Sequence, residues 1–77
     1  MRRVLFDENM PRKLRREISN AHVRTVQEEG WAGLKNGELL RRTSPGFDVL
    51  VTADQRLRYQ QNIQMFSIGV VAIETAR

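Results

Sequence analysis

The segment Phe47-Asp48-Val49-Leu50-Val51-Thr52 restricts the fold more than any other part of this chain. Its apolar centre is unbroken, so a strand here must be covered on both faces, as strands of parallel sheets are. Three other short runs have β character: Arg3-Val4-Leu5-Phe6, the alternating His22-Val23-Arg24-Thr25-Val26, and Ile68-Gly69-Val70-Val71-Ala72-Ile73. They predict strands near residues 3–6, 22–26, 48–52 and 67–73. Helical signals separate them, so the order reads β-α-β-α-β-α-β with short connections. That pattern implies an α/β fold with a four-stranded parallel sheet and right-handed crossovers. The expected strand order is 2-1-3-4.

The intervening segments carry recognisable helix punctuation. Pro11 suits the first turn of a helix, where a missing N–H costs nothing, and Met10, Leu14 and Ile18 recur every four residues as one apolar stripe. Ser19-Asn20 ends that helix, and Gln27 to Gly33 reads as a loop. A second helix is expected from about Asn36, which can cap it, with Leu39 and Leu40 buried. Thr43-Ser44-Pro45-Gly46 is a turn, and Gln55 to Asn62 can form two helical turns. After Ile73 the chain is short of a C-terminal helix that would cover the last strand. The apolar surface of Ile68, Val70, Val71 and Ile73 therefore predicts a homodimer or a hetero-complex packing near residues 67–77.

The chain has 77 residues, enough for a single domain over 1–77. A domain of this size buries only about 60% of its unfolded surface, so its stability is marginal. There is no cysteine, which excludes disulfides and thiolate metal sites and suits a cytoplasmic location. No apolar run approaches the ~20 residues of a membrane span, and Asp7 and Glu8 interrupt the N-terminal apolar run too early for a signal peptide. Thirteen Lys and Arg against nine Asp and Glu give a net charge of +4, which favours an anionic partner such as nucleic acid. Arg12, Lys13, Arg15 and Arg16 crowd the first helix, and Arg56 and Arg58 recur later. The alternative for these residues is a solvated helix face.

Parallel α/β sheets bind ligands beyond the carboxyl ends of their strands. Asp7 and Glu8 follow the first strand, and Thr52 and Asp54 end or follow the third. With those strands adjacent, Asp7 and Asp54 converge, and Glu38 near the start of the second helix can point to the same end. Clustered carboxylates resist simultaneous ionisation, and a divalent cation removes that cost. Mg²⁺ and Mn²⁺ take hard oxygen ligands; such an ion can orient a phosphodiester and activate water. Thr52 can hydrogen-bond a ligand carboxylate or a phosphate oxygen. Each residue also has a purely structural role open to it. Asp54 can cap the following helix, Asp7 and Asn9 can bond turn amides, and Glu38 is favoured near any helix N-terminus. His22 and Trp31 read as structural residues.

Taken together, Val4-Leu5-Phe6-Asp7-Glu8-Asn9-Met10-Pro11, Val23-Arg24-Thr25-Val26 and Val49-Leu50-Val51-Thr52-Ala53-Asp54 resemble a family of short bacterial PIN-like proteins, related to the VapC type of toxin–antitoxin nuclease. The resemblance runs from Arg3 to about Ile73. It rests on Asp-Glu-Asn after strand one, a Glu-containing second helix and Thr-x-Asp after strand three. It implies a PIN-like three-layer α/β/α fold and a ribonuclease dependent on Mg²⁺ or Mn²⁺, with RNA as substrate and an antitoxin protein as partner. It implies that Asp7, Glu38 and Asp54 are the catalytic and metal-binding acids, supported by Glu8, Asn9, Asn36 and Thr52. The chain departs from the family in two places: Asn36 stands where relatives often carry Asp, and no clear fourth acid is present.

Two other readings remain. The first is a catalytically weak or inactive PIN-like module that binds RNA or a partner. The second is a receiver-type phosphoacceptor domain, which also places acids after strands one and three. That class needs a Lys after a fifth strand and well over a hundred residues, so it fits least well.

Overall fold

The computed structural model describes residues 2–8, 10–59 and 66–74. The elements run β1 (Arg2–Phe6), α1 (Arg12–Glu17), β2 (Ala21–Thr25), α2 (Val26–Glu29), α3 (Asn36–Thr43), β3 (Val49–Thr52), a 3-10 helix (Gln55–Tyr59) and β4 (Gly69–Ala72). The four strands form one sheet in the order β2-β1-β3-β4, and every pairing is parallel. Both the class and the strand order agree with the sequence reading. β1 is central, with Val4 opposite Val23 on one side and Val49 on the other.

Period-two alternation sends successive side chains of β1 and β3 to opposite faces. Leu5 and Leu50 point to the face where Val26, Leu39, Leu40, Phe47 and Leu57 form the larger core. Val4, Phe6 and Val51 point to the other face and meet Met10, Leu14 and Ile18, of which Leu14 lies within α1 and the other two flank it. The unbroken apolar run of β3 is thus explained by apolar cover on both faces. α1 has six residues, a length of about 9 Å. Of the apolar residues expected to need cover at the last strand, Val71 is 47% exposed, whereas Ile68 and Val70 pack against the larger core and Ile73 against the smaller. Among the described residues no helix is long and apolar enough to cross a membrane.

Helix boundaries depart from expectation: Pro11 is the N-cap of α1 and Ile18 its C-cap, and Lys35 rather than Asn36 is the N-cap of α3. Residues 26–29 are helical rather than loop. Thr25, the last residue of β2, accepts a hydrogen bond from the Glu28 N–H at 3.1 Å, and the Glu28 carboxylate accepts one from the Thr25 N–H at 2.9 Å. This reciprocal capping box satisfies two amides that a strand end would leave open. The turn closes on Gly30 in the left-handed conformation at φ 77°, where any other residue would be strained. Trp31 then packs edge-on against Phe47, ring centroids 6.2 Å apart, as a structural residue. The helical turns expected over 55–62 are a 3-10 helix over Gln55–Tyr59; residues 60–62 lie outside the described residues.

Leu50 is fully buried between layers. Leu50→Ala is expected to cost about 2–5 kcal/mol, the usual loss for a buried leucine. Val71→Ala, at a half-exposed edge position, is expected to change stability by less than about 1 kcal/mol. Urea unfolding of the two variants followed by circular dichroism checks the contrast.

Candidate active site

The carboxyl ends of β1 and β3 meet because the two central strands are parallel and in register. Asp7 extends the ladder one step past β1, its N–H donating to the Val51 carbonyl at 2.9 Å. Asp7 shares the face of Leu5, and Thr52 the face of Leu50, by the same alternation. Their side chains therefore meet: the Thr52 hydroxyl donates to Asp7 Oδ2 at 2.6 Å. The same hydroxyl oxygen accepts from the Asp54 N–H at 3.0 Å. Thr52 is fully buried, so its single hydroxyl fixes one acidic side chain and the backbone of the other. The carboxylate bond expected of Thr52 is present, and it is made to Asp7.

Asp54 does two things at once. Its Oδ1 accepts from the Arg56 N–H at 2.9 Å, and its carbonyl accepts from the Leu57 N–H at 3.2 Å, which opens the 3-10 helix. Its carboxylate is also gripped by the Arg56 guanidinium, Nε to Oδ1 at 3.0 Å and Nη2 to Oδ2 at 2.9 Å. The Asn36 amide donates to Oδ2 at 3.4 Å. Donation from the Arg56 side chain is the main reason that the Asp54 carboxyl is held down at about 2. Asp7 likewise has a local role, its Oδ1 accepting from the Glu8 N–H at 2.8 Å. The structural roles weighed for both aspartates are therefore present beside their convergence.

Asp7, Glu8, Asn36, Asp54 and Arg56 line one cleft of about 430 Å³, closed by Leu34 and Ala53. Glu8 is pinned at its rim by the Gly33 N–H, 3.1 Å from Oε2. Glu38 is not among the lining residues. Its carboxylate is taken by Arg41, at 2.6 and 2.7 Å from Nη2, and by Arg42, at 2.8 Å from Nε. Those hydrogen bonds, Arg41 first, lower the Glu38 carboxyl below the ordinary range. The cause is helical geometry: Asn36 faces the cleft, and two residues further on the helix has turned by about 200°. Arginines at i+3 and i+4 then complete the diversion. Among the described residues no group of three or more His, Cys, Asp or Glu could hold a metal ion.

Asn9 lies outside the described residues, as do the side chains of Arg12 and Arg58. Lys13 and Arg16 are exposed on α1. Arg15, also exposed, is engaged locally, donating to the Val23 carbonyl at 2.9 Å and pairing with Glu28 at 3.3 Å. A second, larger concavity of about 570 Å³ lies on the α1 side, between Met10, Pro11, Arg15, Arg16 and Glu28, and shares Asp7 with the cleft. Asp54 is absent from its lining, so the oxygen-rich chemistry belongs to the smaller cleft. The contact that sequence reasoning misses is Arg56 on Asp54, since its charge reads as a nucleic-acid contact or a solvated face. The Asp-x-Arg spacing at the start of a helical turn is the signal that pointed to it. Comparison with family models, with curated proteins and with solved structures gives no match.

Two outcomes test this geometry. Thr52→Val removes the hydroxyl at nearly constant volume and leaves Asp54 N–H and Asp7 Oδ2 without this partner; the expected loss is about 1–3 kcal/mol in denaturant unfolding. The second concerns pH. Asp54 has a depressed folded-state pKa, so its share of stability is complete above its unfolded value near 4 and is lost as pH falls towards about 2. In Arg56→Gln the Asp54 carboxyl should titrate closer to the ordinary value by carbon-detected NMR, and the difference in stability between the two proteins should shrink across that window.

Proposed function

We propose that this chain is a PIN-like ribonuclease of three-layer α/β/α type, dependent on Mg²⁺ or Mn²⁺ and related to the toxin components of toxin–antitoxin pairs. The observation that carries the reading is the joint anchoring of Asp7 and Asp54 to the Thr52 hydroxyl, at one end of adjacent parallel strands and in one cleft. The donor chemistry fits a hard divalent cation: the two carboxylates of Asp7 and Asp54 line one cleft. Mg²⁺ is commonly held by one or two carboxylates with retained waters. When bound there, such an ion would polarise a phosphodiester oxygen and lower the pKa of its water.

The chain's own residues supply the rest. Asp7 and Asp54 hold the ion, and Thr52 keeps Asp7 oriented towards the cleft. Asn36 is the contribution of α3 to the site, donating to the Asp54 carboxylate, because Glu38 is occupied by Arg41 and Arg42. Glu8 lines the same cleft in a supporting role, its carboxylate accepting from the Gly33 N–H. Lys13 and Arg16 attract the RNA backbone. The edge strand β4, with Val71 half exposed, is where an antitoxin or a second copy would pack, in a bacterial cytoplasm. The thin acidic set favours weak ion binding, and that observation keeps the RNA- or partner-binding module without cleavage as the second reading.

Asp7→Asn and Asp54→Asn are each expected to reduce cleavage of single-stranded RNA in Mg²⁺ or Mn²⁺ by at least two orders of magnitude, with circular dichroism unchanged. Equal cleavage by Asp54→Asn, from nuclease-free preparations, would remove Asp54 from the mechanism. RNA binding with no cleavage by the unsubstituted chain would select the second reading.

A further inference from the structure

The Arg56 side chain is 86% exposed, yet it lies against Asp54 through both carboxylate oxygens. The side chain stays largely in solvent, and the contact spans only two residues. The Asp54 carboxylate faces the cleft and carries a full negative charge. The guanidinium is the positive group that satisfies it while lining that same cleft. Planar, two-point pairing with a carboxylate is what a guanidinium does best.

From this geometry we infer that Arg56 is an internal counter-ion that occupies the cation position on Asp54 and swings away when a divalent ion binds. The inference rests on the metal-dependent reading above. Arg56 can make the exchange readily because an exposed ion pair is weak in water and its side chain has open solvent to move into. Backbone geometry favours the same conclusion. The Arg56 N–H also donates to Asp54 Oδ1, so the backbone of residue 56 can stay bonded to the carboxylate while the side chain leaves. The 3-10 helix therefore need not unfold for the latch to open. Once released, the guanidinium stands at the mouth of the cleft, where a substrate phosphate would pass. Arg56 is thus a positioning residue with two successive anionic partners.

The consequence is an opposition: the residue that helps to recruit phosphate also competes with the ion. Removing it should tighten ion binding, which no purely favourable role for Arg56 would do. Calorimetric titration with Mn²⁺ of the unsubstituted chain, Arg56→Gln and Asp54→Asn provides the test. Arg56→Gln is expected to bind Mn²⁺ about fivefold more tightly, and Asp54→Asn to lose binding. In a parallel Mg²⁺ titration of the unsubstituted chain, the Arg56 Nε–H resonance should shift with the midpoint of ion binding. Unchanged or weaker Mn²⁺ binding by Arg56→Gln, with Asp54→Asn still abolishing it, would overturn the latch and leave the metal site standing. An Arg56 Nε–H signal indifferent to Mg²⁺, while the ion binds, would overturn it as well. Absence of Mn²⁺ binding in both the unsubstituted chain and Arg56→Gln at millimolar ion would overturn the metal site and the latch together. Binding by Arg56→Gln alone would support the latch in its strongest form.

Discussion

The Thr52 hydroxyl joins the two halves of the acidic cleft. It donates to one aspartate and accepts from the backbone of the other, so a single hydroxyl, as donor and as acceptor, keeps Asp7 and Asp54 in a fixed relation. That works because Thr52 is fully buried: water cannot compete for either bond, and the low local dielectric strengthens both. The position of Thr52 depends in turn on parallel pairing between β1 and β3. Sliding the register by one residue would turn Thr52 to the α1 face and leave Asp7 without its donor.

The cleft shows how one set of residues serves structure and chemistry together. Asp54 opens the 3-10 helix and presents a carboxylate, and Asp7 ties down the turn at Glu8 and presents another. A group already held by backbone amides is preorganised, so little ordering remains when a ligand arrives. Glu38 illustrates the opposite case. It is acidic, near a helix N-terminus and close in sequence to Asn36, but its helix face commits it to Arg41 and Arg42.

Much of the architecture was legible because it follows from strand patterning. The apolar run at 49–51 demanded cover on both faces, and the alternation of short β-rich runs with helical stripes demanded parallel crossovers. Convergence of Asp7 and Asp54 followed from the strand order alone. What was less legible depended on side-chain partnerships. The Thr25-x-x-Glu28 capping box was written in the sequence, yet Gly30, Trp31 and Gly33 made the segment read as loop. Glu38 was flanked by arginines at the helical spacings that capture a carboxylate, but spacing along the chain does not by itself show which face looks into the cleft. Arg56 was read by its charge, and only the fold of the turn after β3 brought that charge back onto Asp54.

The central position of β1 has a consequence for how the chain assembles. Both of its partners lie later in the sequence: β2 begins at Ala21 and β3 at Val49. The first pairing closes a short loop, whereas the Thr52–Asp7 bond spans 45 residues. Contacts at such separation form only after the entropy of closing a long loop has been met. A β1–α1–β2 unit can therefore be drawn together while its acidic end still lacks Thr52 and Asp54. The cleft exists only when the sheet is complete, so a chain caught part-way through folding carries Asp7 without its partners.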